Sequence, residues 1–128
     1  MRSSEQVLRA FFQGIFMSNE STASPSATVF RIDKFVVPKE AIPSFVAQMQ
    51  RVQQTLRTLP GCLRNQVLTQ TDGPGEFNVI TLVEWASEQA VAAAQVFVKK
   101  KFAEEGFDPV EFVRKSGVRA DLGFYGAV

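Results

Sequence analysis

The sequence has no histidine among its 128 residues and only one cysteine, Cys62. The missing histidine excludes Ser-His-Asp and Cys-His nucleophile systems, histidine-ligated zinc or haem, and the commonest general base of proteins. A single cysteine excludes an internal disulfide framework and favours a reducing, cytoplasmic compartment. No apolar run approaches the roughly 18 residues that a membrane-spanning helix needs. The net charge is only +1, without a basic stripe, so we expect neither a membrane nor a nucleic acid as partner.

Residues 1–17 have the periodicity of an amphipathic helix. Its apolar stripe consists of two adjacent rows: Val7, Phe11 and Ile15, and Leu8, Phe12 and Phe16. Residues 18–27 are rich in Ser and Thr without periodicity, which predicts a linker to a folded domain over 28–128. Three interpretations of this segment stay open. It can dock on that domain or on a second subunit, it can have a targeting role, or translation can start at Met17 instead of Met1.

The rest of the chain predicts strands and helices in the order β-α-β-β-α-β, with a short extra helical piece before the last strand. Strands are indicated by β-branched and aromatic residues, helices by apolar residues three and four apart, and a hairpin by the Asp-Gly-Pro-Gly turn. The predicted strands are 28–37, 62–71, 77–85 and 118–125, and the helices 39–58, 88–105 and 109–115. This order is typical of an α+β, ferredoxin-like fold with an antiparallel sheet.

Both faces of the predicted sheet are apolar. In the first strand Phe35 and Val37 alternate with Ile32 and Val36, so neither face is polar. Both helices are expected on one face, because each crossover takes the right-handed route. The second face then needs a cover, and a twofold homodimer packing sheet against sheet is the simplest one. The amphipathic helix of residues 1–17 is the alternative cover.

The order of elements and several short strings resemble the antibiotic biosynthesis monooxygenase family over about residues 28–125. The first strand ends in Val-Val-Pro-Lys-Glu, and Leu59-Pro60-Gly61-Cys62 leads into the second strand. Val83-Glu84-Trp85-Ala86-Ser87 closes the third strand and precedes an alanine-rich helix. The resemblance implies a homodimeric α/β barrel with a substrate pocket beside each sheet.

The resemblance also implies a range of activities. Members include oxygenases that use no cofactor and act on quinols, anthrones and polyketide-like aromatics, and others that degrade haem. The haem-degrading type uses an Asn on the first strand with a Trp and a His associated with the second helix. Here the first-strand position matches Asp33, and the second helix has neither a Trp nor a His, which argues against haem degradation.

Asp33 and Arg31 are the first candidates for chemistry. They share one face of the first strand, because side chains alternate with a period of two. If that face lines a pocket, Asp33 is a candidate catalytic base with a pKa raised by burial, and Arg31 a candidate site for an oxyanion. The alternative is an ion pair between neighbouring side chains without any catalytic role.

Three further residues complete the predicted site. Asn65 and Asn78 lie near the ends of the central hairpin and can donate hydrogen bonds to a substrate carbonyl, or be turn-proximal surface. Tyr125, the only tyrosine, is a candidate catalytic residue, or a packing residue with a solvated hydroxyl. No metal ligand set or bound cofactor is predicted.

The sequence thus favours a cofactor-independent monooxygenase-like protein acting on a small aromatic, quinol or polyketide-type substrate. Two other functions stay open: a non-catalytic protein that binds small molecules in the same barrel pocket, and an isomerase or cyclase that transfers protons without oxygen.

Overall fold

The computed structural model describes residues 27–128 and confirms the predicted α+β, ferredoxin-like fold. The predicted helix 1–17 lies outside the described residues, as does nearly all of the predicted linker 18–27. The sheet is antiparallel in the order β2-β3-β1-β4. The elements are β1 (Val29–Val36), a 3-10 turn (Lys39–Ala41), α1 (Ile42–Arg57), β2 (Cys62–Thr69), β3 (Val79–Trp85), α2 (Glu88–Glu105), α3 (Pro109–Lys115) and β4 (Arg119–Tyr125).

Most helix boundaries follow from local chemistry. The Ser87 side chain caps α2 by accepting a hydrogen bond from the main-chain N–H of Ala90 at 3.1 Å. Gly106 ends α2 in the left-handed conformation, with φ of 68°. Asp108 then caps α3, whose first residue is Pro109, a position where proline loses no helical hydrogen bond. These signals explain why the two helices are separate.

The central hairpin is shorter than predicted at both sides of its loop. β2 ends at Thr69 instead of 71, and β3 begins at Val79 instead of 77. Next to this end of β3, Asn78 Oδ1 accepts from Val37 N at 2.9 Å, and Asn78 Nδ2 donates to Val37 O at 2.8 Å. These bonds take both main-chain groups of Val37, the residue after β1, so the main chain of Val37 does not extend the ladder with β3.

The covered face of the sheet carries two apolar clusters separated by a polar band. One cluster surrounds Phe35, Phe45 and Val79, and the other surrounds Val29, Val83, Trp85, Val91 and Ala94. Between them on neighbouring strands lie Arg31, Asp33 and Thr81, all less than one-tenth exposed. Burying polar groups in an apolar layer costs free energy unless the groups are paired. The polar band is therefore a candidate functional site.

The opposite face of the sheet carries mostly apolar residues, with charged residues among and beside them. It carries half-buried Phe30, Ile32, Val36, Ile80 and Leu82. The ion pairs Lys34–Asp121 (3.6 Å) and Arg64–Glu84 (3.7 Å) lie on the same surface, which we call the open face. The described helices all pack on the other face. As expected from the sequence, the face without helices still carries apolar residues.

Candidate functional site

A cavity of about 100 Å³ lies between the covered face of the sheet and the helices α1 and α2. Its wall is largely apolar, and its polar lining comes from the polar band and from glutamines of the two helices. The apolar lining includes Met49, Val52, Leu56, Val83, Trp85, Val91, Val98, Phe102, Phe107 and Phe124. A concave apolar space with a few polar groups is the usual form of a small-molecule site.

Arg31 and Asp33 form a buried ion pair on the wall of this cavity. The distance from Arg31 Nε to Asp33 Oδ1 is 2.5 Å, and the two residues are 9% and 4% exposed. The guanidinium also lies 4.7 Å from the centre of the Phe124 ring, a cation–π contact that helps to hold it in place. The structure therefore brings the two residues together at a cavity, as the predicted base and oxyanion site require.

The charge state of Asp33 depends on two opposing effects. Burial raises the pKa of its carboxyl group above the ordinary value of 3.8, and the positive charge and hydrogen bond of Arg31 oppose this shift without cancelling it. A carboxylate with a raised pKa is a stronger base than an exposed one. The site thus combines a basic carboxylate with a cation fixed beside it.

Three polar residues on the cavity wall are not among the site residues predicted from the sequence: Thr81, Gln53 and Gln95. Thr81 is the register partner of Asp33 on the neighbouring strand β3. The sequence feature that could identify Thr81 is a break in the apolar alternation: a hydroxyl residue lies between Val79 and Val83, where an apolar residue is expected. Gln53, only 3% exposed, lies four residues after Met49 on the apolar side of α1, so its signal is a break in the helical row.

Asn65 is buried on the covered face but does not line the cavity. Its Nδ2 donates to the main-chain oxygen of Gln53 at 2.7 Å, and its Oδ1 accepts from Arg57 Nε at 2.7 Å. Near it, burial raises the pKa of the Cys62 thiol, and the positive charge of Arg57 opposes the shift. Both ends of the Asn65 amide thus join β2 to α1, and its predicted contact with substrate stays a prediction.

Asn78 and Tyr125 also lie away from the cavity. The amide of Asn78 is engaged with both main-chain groups of Val37, as described above. Tyr125 is 45% exposed and pairs with Phe30, so it belongs to the open face, opposite Asp33. Its ring covers Gly123, where an added Cβ would lie 3.0 Å from ring atoms. Their predicted roles stay predictions, and within one chain the sheet separates Tyr125 from Asp33.

The described residues offer no obvious place for a metal ion or a membrane span. Within 27–128, no group of three or more Cys, Asp or Glu side chains is arranged to hold a metal. None of the helices in that range combines the length and the apolar content needed to cross a bilayer.

Solved structures of two oxygenases and of a haem-degrading protein share the fold of this chain. SnoaB, a cofactor-independent oxygenase from Streptomyces nogalater, is 19% identical with a TM-score of 0.56, covering 80% of this chain and 94% of its own. The monooxygenase from the gene ActVA-Orf6 of Streptomyces coelicolor, solved with nanaomycin D, is 21% identical with a TM-score of 0.55, covering 82% and 91%. The haem-degrading protein Rv3592 of Mycobacterium tuberculosis is 20% identical with a TM-score of 0.53, covering 80% and 93%. At these identities the similarity establishes the fold alone.

The family itself is established by a sequence profile. No curated protein matches the chain, but the profile of antibiotic biosynthesis monooxygenases matches residues 28–96, more than half of its length. The matched range begins before β1 and ends within α2, so it contains the Arg31–Asp33 pair together with Gln53 and Thr81. The resemblance read from the short strings is confirmed, and the chain belongs to the antibiotic biosynthesis monooxygenase family.

Proposed function

We propose that this protein is a cofactor-independent monooxygenase acting on a small aromatic, quinol or polyketide-type substrate. The observation that carries the proposal is the Asp33 carboxylate, which has a raised pKa and lies on the wall of an apolar cavity. Cofactor-free oxygenation needs a base, a way to hold a developing anion and an apolar space for dioxygen. The cavity supplies all three from residues of one chain.

The base and the cation act as one unit. When Asp33 accepts a proton from a phenolic hydroxyl or an activated C–H group, its charge moves to the substrate. Arg31, until then paired with the carboxylate at 2.5 Å, faces the new oxyanion instead. One ion pair replaces another, so the net charge inside the apolar cavity does not change, and no unpaired charge is created there.

The substrate anion then supplies the electrons. It transfers one electron to dioxygen, and the two radicals combine into a substrate peroxide. The proton held by Asp33 returns to the outer peroxide oxygen, and loss of water converts the CH₂ group of an anthrone-type substrate into a carbonyl. One oxygen atom ends in the product and one in water, so the reaction balances without an added reductant.

Two residue features of this chain favour oxygenation over haem degradation. SnoaB is described as a cofactor-independent oxygenase and the ActVA-Orf6 product as a monooxygenase, whereas Rv3592 is described as haem-degrading. This chain has no histidine to bind haem iron, and Asp33 occupies the first-strand position where the resemblance implies an Asn for haem degradation. These two features argue against haem degradation and leave oxygenation as the proposed activity.

Oxygen uptake tests the proposal. Purified protein is mixed with a panel of anthrones and quinols at neutral pH without added cofactor, and Asp33→Asn is compared with wild type. We expect Asp33→Asn to lower the turnover number at least about tenfold, the lower range for loss of a general base. Asp72→Asn, an exposed aspartate of the hairpin loop, is the matched control and should keep the wild-type rate.

Other outcomes of that experiment separate the remaining functions. An unchanged rate in Asp33→Asn removes Asp33 from the mechanism. Saturable binding without turnover favours a non-catalytic binding protein, and product formation under nitrogen favours an isomerase or cyclase.

We also propose that the protein works as a cytoplasmic homodimer. The open face, mostly apolar and with two ion pairs on it, has the form of a surface that a second copy covers. A cytoplasmic location is supported by the single cysteine, because a reducing compartment needs no disulfides.

A further inference from the structure

Five charged, hydroxyl or amide side chains line the cavity, and two of them, Thr81 and Gln95, are still available to a ligand. The other three are engaged with protein groups. Arg31 and Asp33 form the buried ion pair, and Gln53 Nε2 donates to two main-chain oxygens at 3.2 and 3.5 Å. Within residues 27–128, no hydrogen bond joins the Thr81 hydroxyl or the Gln95 amide to another residue. Polar side chains in an apolar wall normally have hydrogen-bond partners, so these two groups point to a ligand.

Thr81 and Gln95 lie on different sides of the cavity. Thr81 is 7% exposed on β3, and its register partner on β1 is Asp33. Gln95 belongs to α2, where it is half-buried and lines the cavity beside Ala94. Because the cavity lies between the sheet and the helices, a ring in it has one edge at the sheet and the opposite edge toward α2.

The two sides suit oxygens of different charge. Arg31 beside Asp33 can balance a negative charge, so the oxygen that loses its proton belongs on the side of the sheet. The Thr81 hydroxyl can donate a further hydrogen bond to that oxygen. The Gln95 amide is neutral and can both donate and accept, which suits a hydroxyl group that keeps its proton. The wall thus fits a ligand with two oxygens of which only one ionises.

The size of the cavity limits the ring system that can connect the two sides. Its volume is about 100 Å³. An engineered apolar cavity that binds benzene has about 150 Å³. The space between the sheet and α2 therefore holds no more than one six-membered ring, so both oxygens belong to the same ring, at opposite positions.

We propose that Gln95 is a specificity-determining residue, and that the substrate is a para-quinol, a ring with hydroxyl groups at opposite positions. One hydroxyl group lies at Asp33 and Thr81 and loses its proton, and the other is bound by the Gln95 amide. This inference rests on the proposed function for the reaction, but the contact with Gln95 is a binding property that can be measured without turnover.

Oxygenation of a para-quinol by the proposed route keeps atoms and electrons in balance. The peroxide forms at the ring carbon next to the ionised oxygen, and loss of water from this carbon and its peroxide leaves a carbonyl there. Hydroquinone and dioxygen thus give one hydroxyquinone and one water. Because the hydroxyquinone is coloured and hydroquinone is not, oxygenation can be followed separately from binding.

Trp85 reports binding in the cavity. It is the only tryptophan of the sequence and lines the cavity, so its indole N–H gives a single resonance in isotope-labelled protein that shifts when a ring enters. The probes are hydroquinone and p-cresol, which have nearly the same size but differ by a hydroxyl group in place of a methyl group. Both are titrated under nitrogen, where hydroquinone is not oxidised. We expect hydroquinone to bind with a Kd about fivefold lower, the effect of one neutral hydrogen bond.

Variants test the two sides of the cavity separately. Gln95→Met keeps the length and the helix propensity of the side chain but removes the amide, so it should abolish the preference for hydroquinone. Thr81→Val removes the hydroxyl on the side of the sheet and should raise both Kd values by a similar factor, with the preference retained. Gln89→Met, an exposed glutamine of α2 outside the cavity, should leave both Kd values unchanged.

Each result has a defined meaning. Equal Kd values in wild type, no shift of the Trp85 resonance with either probe, or a preference that survives Gln95→Met overturns the role of Gln95. Unchanged Kd values in Thr81→Val overturn the placement of a hydroxyl group at Thr81. A preference that Gln95→Met abolishes, without hydroxyquinone formation in air, upholds the role of Gln95 and contradicts the monooxygenase function. Hydroxyquinone formation by wild type with equal Kd values does the reverse.

Discussion

At the residue scale, Asp33 and Arg31 form a pair whose position is costly for stability. Both charges are buried in the covered face, where desolvation offsets much of their mutual attraction. An apolar pair of similar size would fit the surrounding clusters without that cost. A buried ion pair on a cavity wall is therefore better explained by the chemistry that it allows than by a contribution to folding.

The raised pKa of Asp33 predicts a pH dependence of stability. Between 3.8 and the raised pKa, the folded protein holds a proton that the unfolded chain has lost. The stabilisation from this proton is complete below pH 3.8 and is lost as the pH rises through the folded pKa. We therefore expect the free energy of unfolding of wild type to fall with rising pH across this window, relative to Asp33→Asn.

Urea unfolding at a series of pH values measures this difference. The loss of the ion-pair partner of Arg31 in Asp33→Asn adds a constant offset to the free energy of unfolding and leaves its slope with pH unaffected. A difference that stays constant with pH, or that changes in favour of wild type as the pH rises, would show that the pKa of Asp33 is not raised.

At the element scale, the Leu-Pro-Gly-Cys connection fixes how closely α2 approaches the sheet. Gly61 has φ of 86°, and its main-chain oxygen accepts a hydrogen bond from Ala86 N at 2.8 Å. A Cβ at Gly61 would lie 2.5 Å from the Cβ of Ala90 in the first turn of α2. Glycine is thus required here twice, for its conformation and for its small size.

Gly61→Ala should accordingly destabilise the protein more than loss of a left-handed glycine alone. We expect a positive-φ cost of about 1–2 kcal/mol and an overpacking cost of about 1–3 kcal/mol in the free energy of unfolding. Gly73→Ala is the matched control, because Gly73 has φ of 107° but no atom within 4 Å of an added Cβ. Chemical denaturation measures the free energy of unfolding of both variants. Equal losses would mean that α2 moves away from the added Cβ without an energetic cost.

The same element scale shows how far the sequence predicts the fold. Proline, glycine and capping residues act on their nearest neighbours, so the order of elements and most of their ends follow from the sequence. The end of β1 at Val36 does not, because Val37 is bound by the side chain of Asn78, 41 positions away. Such details depend on contacts between residues that are far apart in the sequence and meet only when the chain folds.

At the scale of the whole molecule, the open face predicts a dimer. Leu82 lies in the middle strand pair of this face, in register with Ile32. Leu82→Lys places a charge in the centre of the proposed interface and should raise the dimer dissociation constant at least about tenfold. Analytical ultracentrifugation over the micromolar range measures this constant.

Val96→Lys is the control for that prediction. Val96 is 73% exposed on α2, which packs on the covered face, so its replacement should leave the dimer intact. Wild type that sediments as a monomer at micromolar concentration would contradict the proposed homodimer, and so would a Leu82→Lys protein with unchanged association.

The sequence by itself determined the element order, the two apolar faces and the common face of Arg31 and Asp33. These features depend on periods of two and of three to four residues, which are local and appear directly in the order of residues. Only the tertiary structure decided which polar groups meet at the cavity. Thr81 and Gln53 reach it through strand register and helix packing, while Asn65 and Asn78 are engaged by main-chain groups 12 and 41 positions away. The register of β4 placed Tyr125 on the open face, because pairing across strands is set by the whole sheet and not by any one segment.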